Sequence, residues 1–379
     1  MKPLAERFLS LDVFRGMTLC FMIIVNTPGR GANPFGMLLH ASWHGFTPTD
    51  LVFPSFLFAV GNAMSFSMKR FSQMDNAQVL LKIFKRTILI FLIGYLMYWF
   101  PFFKYDKQGH AFFAVIENTR IMGVLQRIAL CFCIASLMIH YLSGKTVIWL
   151  SVLFLVGYWI ILQVFGDAGA QFTMMGNIGS YIDKSVLGES HLYHGDFFHG
   201  KHVAFDPEGI LSTIPAIVNV VIGYFAGKFI QEKGKGYESI ARLFLVGSLL
   251  VLIAICWNTV FPVNKKLWTS SFVLLTCGLD LMIIGALLYI IEVKQSTQWT
   301  KFFVVFGKNP LFIYIVSEVL LTAADLINPK FPFTKWINLN FFQVVAPGPV
   351  GSLLFALCFM LVCWLVGYIL DRRKIYIRV

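Results

Sequence analysis

Six stretches of this chain carry no charged residue over lengths that match a bilayer: 51–68, 87–103, 146–166, 209–227, 243–264 and 347–370. About 20 mostly apolar residues wound as a helix cross a ~30 Å hydrocarbon core. Inside lipid only a helix or a closed barrel satisfies its own backbone, and the apolar runs here are continuous rather than alternating, which argues against a barrel. Four further apolar segments, about 11–28, 121–141, 267–291 and 303–325, hold isolated polar groups. The chain is therefore predicted to be an all-α, polytopic integral membrane protein of about ten transmembrane helices, forming a single domain over 1–379. Only 13% of its residues are charged, about half the share of a soluble domain. The 39 Phe and 9 Trp exclude disorder, and all 7 Cys lie in apolar stretches, which excludes a disulfide-stapled secreted fold. Asp12 and Arg15 interrupt the first apolar segment and no small-residue cleavage site follows, so that segment reads as a retained helix, not a cleaved signal peptide.

A net charge of +12 can mark a nucleic-acid binder, but here the charge follows topology. With the N-terminus placed in the cytoplasm, twenty of the 31 Lys and Arg fall on that side and ten on the other, with Arg127 inside the membrane. The positive-inside bias puts both termini in the cytoplasm, and no nucleic-acid partner is expected. Two long loops, 27–49 and 166–208, then face the outer side, and the second holds four of the eight His.

Ionisable groups within spans are costly and usually functional. Asp12 and Arg15 share a helix face, as a local ion pair or with Arg15 beside a phosphate. Arg127 has no acidic neighbour in sequence, which leaves Asp280 and Glu318 as intramembrane partners. Phe205-Asp206-Pro207-Glu208-Gly209 reads as an ordinary helix start. Gly307-Lys308-Asn309-Pro310 reads as a cytoplasmic helix start whose N-terminus and Lys308 form a ready anion site. His191, His194, His199 and His202 suggest a metal cluster, but no Cys joins them and Asp196 is the only acid nearby; a polar substrate-side loop without metal is expected. His40 and His44 flank Trp43 just before Asp50, with Asn26 ending the first helix on the same side. A His beside an acid serves as a general base at neutral pH; the alternative is an interfacial His–Trp belt with Asp50 as a helix cap.

These residues sit in recognisable blocks. SLDVFRGMT (10–18), VNTPG (25–29) and LLHASWHGFTPTDLVFPSFLF (38–58) come first, followed in order by GVLQR (123–127), YIDKSVLGESHLYH (181–194), FDPEGILSTI (205–214), NKKLWTSSFV (264–273) and GKNPLFIY (307–314). Together they resemble the heparan-α-glucosaminide N-acetyltransferase family, in a compact bacterial form lacking the extra N-terminal segment of the lysosomal enzyme. The resemblance implies a multi-pass protein of the bacterial inner membrane that moves an acetyl group from cytoplasmic acetyl-CoA to an amino sugar on the outer side. Its proposed catalytic histidine maps to His40, with Asp50 or Asn26 to orient the ring. Arg15, Lys308 and Asn309 are expected to hold the donor, and Arg127 or Asn26 to meet the developing oxyanion. Trp43, Asp183 and His191 are expected at the acceptor. His44 stands where lysosomal members commonly have Asn, so no role is carried to it. The expected partners are acetyl-CoA as co-substrate, an amino-sugar acceptor, the lipid bilayer and, by the same resemblance, a second copy in a homodimer; no metal is expected. Two routes fit, direct transfer with His40 as base and an acetyl-His intermediate, and direct transfer is the expectation. The rival classes are an amino-sugar permease of the same membrane and a scaffold without chemistry; the buried charges count against the scaffold.

Overall fold

The computed structural model describes residues 8–105, 111–198, 200–327 and 331–377, with no side-chain description at 104, 105 and 111. Of the basic residues behind the sidedness count, Lys2, Arg7, Lys107, Lys330 and Arg378 lie outside the described residues. Among the described residues, eight helices are long and apolar enough to cross a membrane. They are α1 (Leu9–Asn26), α2 (Pro48–Phe71), α4 (Val124–Tyr141), α5 (Gly144–Phe165), α7 (Thr213–Lys233), α8 (Tyr237–Trp257), α9 (Ser270–Leu287, running on through a π-helical turn to Val293) and the last long helix, Pro349–Arg372. A further helix, α3 (Asn76–Trp99), has the length but carries Lys82, Lys85 and Arg86 in its first half. Expected helix nine is broken: α10 (Thr300–Lys308) and α11 (Pro310–Asp325) meet at Asn309 with a bend of 84°. Counting that pair as one span gives nine among the described residues.

Beyond the spans, loop 166–208 contains an amphipathic helix, α6 (Ile178–Leu187). Two short antiparallel hairpins lie in loops: β1 (Phe103–Tyr105) with β2 (Ala111–Phe113), and β3 (Asp196–Phe198) with β4 (Lys201–Val203). They are the exceptions to the all-α expectation.

Burial separates two classes of helix. In α1, α2, α4, α7 and α9 the apolar windows are 61–67% buried, against 28% in α5, α8 and the last helix. The second class is apolar on every side, as a lipid-facing helix must be; the first class forms the interior. Small residues allow that interior to close. A Cβ added at Gly61 of α2 would lie 2.0 Å from the Val220 carbonyl oxygen of α7, and one at Gly16 of α1 would lie 1.9 Å from the Phe303 carbonyl oxygen of α10. The α1–α10 approach sets Arg15 and Lys308 at one end of α1, while Asn26 ends the other.

Candidate active site

The His40 loop is built by hydrogen bonds that its own sequence supplies. Thr47 is the N-cap of α2 and Asp50 its N3 residue, so the two form a capping box, with Pro48 pre-set for the first turn. Asp50 Oδ2 accepts from Ala41 N (3.1 Å), Thr47 N (3.0 Å) and Thr47 Oγ1 (3.1 Å). Thr47 Oγ1 lies 2.8 Å from the Leu39 carbonyl, and Thr49 Oγ1 donates to the Met37 carbonyl at 3.1 Å. With Oδ2 spent on the cap, Asp50 Oδ1 faces His40 Nδ1 at 2.7 Å. Asp50 is thus both cap and histidine partner, and the two readings of this residue hold together. A carboxylate only accepts, so His40 donates from Nδ1 and keeps its lone pair on Nε2, which Lys265 Nζ faces at 3.3 Å.

The NKKLW block supplies the facing wall. Asn264 closes a tight turn: its Oδ1 accepts from Leu267 N (2.8 Å) and its N–H donates to Thr269 Oγ1 (3.0 Å). Trp268, at φ 53°, is fully buried at the turn's end. Gly45 N donates to the Val263 carbonyl at 2.8 Å, tying this turn to the His40 loop. Lys265 then points at the imidazole, with Nζ 3.0 Å from Nδ1, 3.3 Å from Nε2 and 3.8 Å from Asp50 Oδ1. Burial pushes its amine down to about 8, against the pull of Asp50 and Glu208. A cavity of about 140 Å³ opens here, walled by Asn26, His40, Thr49, Val124, Glu208 and Lys265 among others. His40 and Asn26 line this cavity and Asp50 stands directly against His40, so the structure brings the three together.

Glu208 and Lys265 were not expected. Asp206-Pro207-Glu208 does not begin a helix; α7 starts later, at Thr213. The reason is Arg120, which takes Asp206 in a bidentate pair (3.0 and 2.6 Å) and also Glu208 (2.5 Å), while Asp206 Oδ1 accepts Glu208 N in a local turn (3.0 Å). Burial opposes ionisation of both acids; Arg120 and Arg127 outweigh it at Glu208, whose pKa is lowered, while burial prevails at Asp206, whose pKa is raised. No sequence signal linked these acids to Arg120, which lies 86 and 88 residues away.

Arg127 pairs with neither Asp280 nor Glu318. Asp280 binds Ser55 Oγ at 2.5 Å. Arg127, fully buried, donates to the Gly209 carbonyl (3.2 Å) and to Ser212 Oγ, and lies 4.8 Å over the Trp268 ring. It braces the turns that carry Glu208 and Lys265 and does not line the cavity.

The acceptor candidates separate. Trp43 Nε1 donates to the Phe172 carbonyl (2.8 Å), and its ring packs on Phe205 at 5.6 Å. Asp183 is buried, accepts from Ile210 N (2.8 Å) and so props the Glu208 turn; burial pushes its carboxyl up to about 6. His191 Nδ1 is 2.8 Å from the Thr119 carbonyl. Neither Asp183 nor His191 lines the His40 cavity. Of the other loop histidines, His194 and His202 face the carbonyls of Leu192 and His194, and His199 lies outside the described residues. Among the described residues no group of three or more His, Cys, Asp or Glu is arranged to hold a metal.

At the opposite end of α1, Arg15 pairs with Asp12 at 3.0 Å. Lys308 ends α10 rather than opening the helix behind it, and pairs with Asp371 at 2.6 Å. Asn309, at the bend, accepts from Ile377 N (2.8 Å) and donates to the Ile375 carbonyl (3.0 Å), which fastens the C-terminal tail. Arg86 lies within electrostatic range of Arg15 and has its Nε unmet. The residues at this end thus fit a polyanion, provided Asp371 yields Lys308 to it.

A family model described as heparan-alpha-glucosaminide N-acetyltransferase, catalytic, matches residues 7–260. The heparan-alpha-glucosaminide N-acetyltransferase of Homo sapiens is 28% identical over 431 aligned residues, covering 99% of this chain and 60% of that protein. The protein of the same name from Mus musculus is 28% identical over 368 residues, covering 83% and 54%. The chain thus spans little more than half the length of these curated relatives.

Proposed function

Because this chain belongs to the heparan-α-glucosaminide N-acetyltransferase catalytic family, we propose that it is a transmembrane N-acetyltransferase that carries an acetyl group from cytoplasmic acetyl-CoA to the amine of an amino sugar on the outer side of a bacterial inner membrane. The observation that carries the reading is the Asp50–His40 pair at 2.7 Å on the wall of a cavity, with Lys265 beside it. The termini are cytoplasmic, so the His40 end of α1 faces outward and the Arg15 end inward.

The negatively charged nucleotide stays out of hydrocarbon. Arg15, Arg86 and Lys308 receive it at the inner end, Lys308 exchanging Asp371 for phosphate, while Asn309 keeps the tail in place. Arg15 and Asn26 are eleven residues apart, roughly 16 Å along the helix, so the thin pantetheine arm spans about half of the ~30 Å core. At the outer end His40 Nε2 takes a proton from the acceptor amine as its nitrogen attacks the thioester carbon. The C–N bond forms, the C–S bond breaks, and His40 returns the proton to the leaving thiolate. Asp50 fixes the tautomer and meets the imidazolium. Lys265 and Asn26, on the cavity wall, donate to the oxygen as negative charge develops there. This takes over the role assigned from sequence to Arg127, whose place is behind the wall. Glu208 puts a negative charge on the cavity wall that draws the amine in as an ammonium ion, which gives one proton to the outer solvent before its neutral nitrogen attacks.

Sealed vesicles loaded with acetyl-labelled acetyl-CoA, with glucosamine outside, test this directly. In vesicles whose Arg15 end faces the lumen, labelled N-acetylglucosamine should accumulate outside while CoA stays within. Uptake of glucosamine without acetylation would support the permease instead and defeat the proposal.

A further inference from the structure

A second cavity, of about 210 Å³, lies between α3, α4 and α11, with Tyr98, Leu125, Gln126, Tyr314, Glu318 and Thr322 among its walls. Gln126 is fully buried, and neither its amide nitrogen nor its oxygen is met by a hydrogen bond among the described residues. Buried amides are rarely left so. The space around it is built: a Cβ at Gly94 would lie 2.7 Å from Gln126 Oε1. Glu318, the acid left over when Arg127 found other partners, has no ion pair or side-chain hydrogen bond among the described residues. Among the described residues no basic side chain lines the cavity. Arg120, which donates to the Tyr98 hydroxyl at 3.4 Å, is already committed to Asp206 and Glu208. Tyr98 also accepts from Val124 N (3.4 Å), and Val124 lines the His40 cavity, so the two cavities share a wall.

We propose that this cavity binds a small hydroxylated amine, the chemical class of an amino sugar, at a site separate from His40. A carboxyl with no counter-ion calls for a cation. An amide with both ends unmet calls for a group that donates and accepts at once, which a hydroxyl does. The Tyr98 and Tyr314 rings suit both an ammonium and the apolar face of a pyranose. The site holds the acceptor beside the cavity where it reacts. Its role beside the reacting cavity and the choice of probe rest on the acetyltransferase reading.

The test uses the full chain in lipid nanodiscs without acetyl-CoA, so that a failure of transfer chemistry does not affect it. Radiolabelled glucosamine should bind about tenfold more weakly to Glu318→Gln and to Gln126→Leu than to wild type, and glucose should compete poorly. A second reading needs no variant: glucosamine, and not glucose, should slow carbodiimide modification of Glu318 as followed by mass spectrometry. Unchanged affinity in Glu318→Gln, equal competition by glucose, or modification at the same rate with and without glucosamine would each overturn the site.

Discussion

The two ends of α1 carry similar side chains in opposite states. At the Asn26 end, charges converge on a cavity: Asp50 turns one oxygen to His40 at 2.7 Å, and Lys265 stands 3.0 Å from the same ring. At the Arg15 end the charges cancel in pairs: Arg15 with Asp12 at 3.0 Å, Lys308 with Asp371 at 2.6 Å. The first end is organised before any ligand arrives, as a site for chemistry should be. The second is a set of exchangeable ion pairs, as a site that must grip and release a polyanion should be. A charge in a span therefore marks chemistry only where its bonding capacity remains directed at open space.

The comparison breaks most readily at Asp50. Asp50→Asn keeps a side chain that can cap α2 but removes the carboxylate that fixes the His40 tautomer, so steady-state transfer should fall about a thousandfold with little change in melting temperature. Equal losses of activity and stability would reduce Asp50 to a cap. Next is Lys265. Its amine titrates at about 8, below the ordinary lysine value, so its charge is present below that pH and lost above it. The wild-type rate should gain a limb that declines above pH about 8. Lys265→Arg should push that limb to higher pH, and Lys265→Met should cost about a hundredfold and abolish it. A pH–rate profile unchanged in Lys265→Met would remove it from the site.

How far each end could be read from sequence follows the same division. The spans were legible because lipid imposes an apolar run of fixed length; α3 and the α10–α11 pair departed from simple spans where basic residues or Asn309-Pro310 interrupt the run. His40, Asp50 and Asn26 were legible because cap, base and helix end fall close together in the chain. Glu208 and Lys265 were not, since Arg120 and Asn264 deliver them from loops distant in sequence. Asp206-Pro207-Glu208 misled for a physical reason: the pattern of a helix start is also that of a loop whose acids are claimed by an arginine 86 and 88 residues away. Arg127 misled because a buried guanidinium can rest on carbonyls and an indole face as well as on a carboxylate.

The Arg15 end sharpens the comparison with a smaller effect. If Lys308 must leave Asp371 to bind phosphate, Lys308→Ala should weaken acetyl-CoA binding about tenfold while Asp371→Asn strengthens it. The same direction of change in both variants, measured by equilibrium binding, would mean that the pair serves the tail alone. The smallest effect concerns Asp183, whose carboxyl is pushed up to about 6 by burial. The native protein then retains a proton that the unfolded chain releases from about pH 4 upward, so stability should decline as pH rises from about 4 to 6. Asp183→Asn, still able to accept from Ile210 N, should flatten that slope in melting experiments; an unaltered slope would place its cause elsewhere.

The most direct measurement is transfer of labelled acetyl from acetyl-CoA to glucosamine by purified His40→Ala protein beside wild type. The account predicts that the variant still binds acetyl-CoA at the Arg15 end but moves no label above background. Label transferred at the wild-type rate would contradict it.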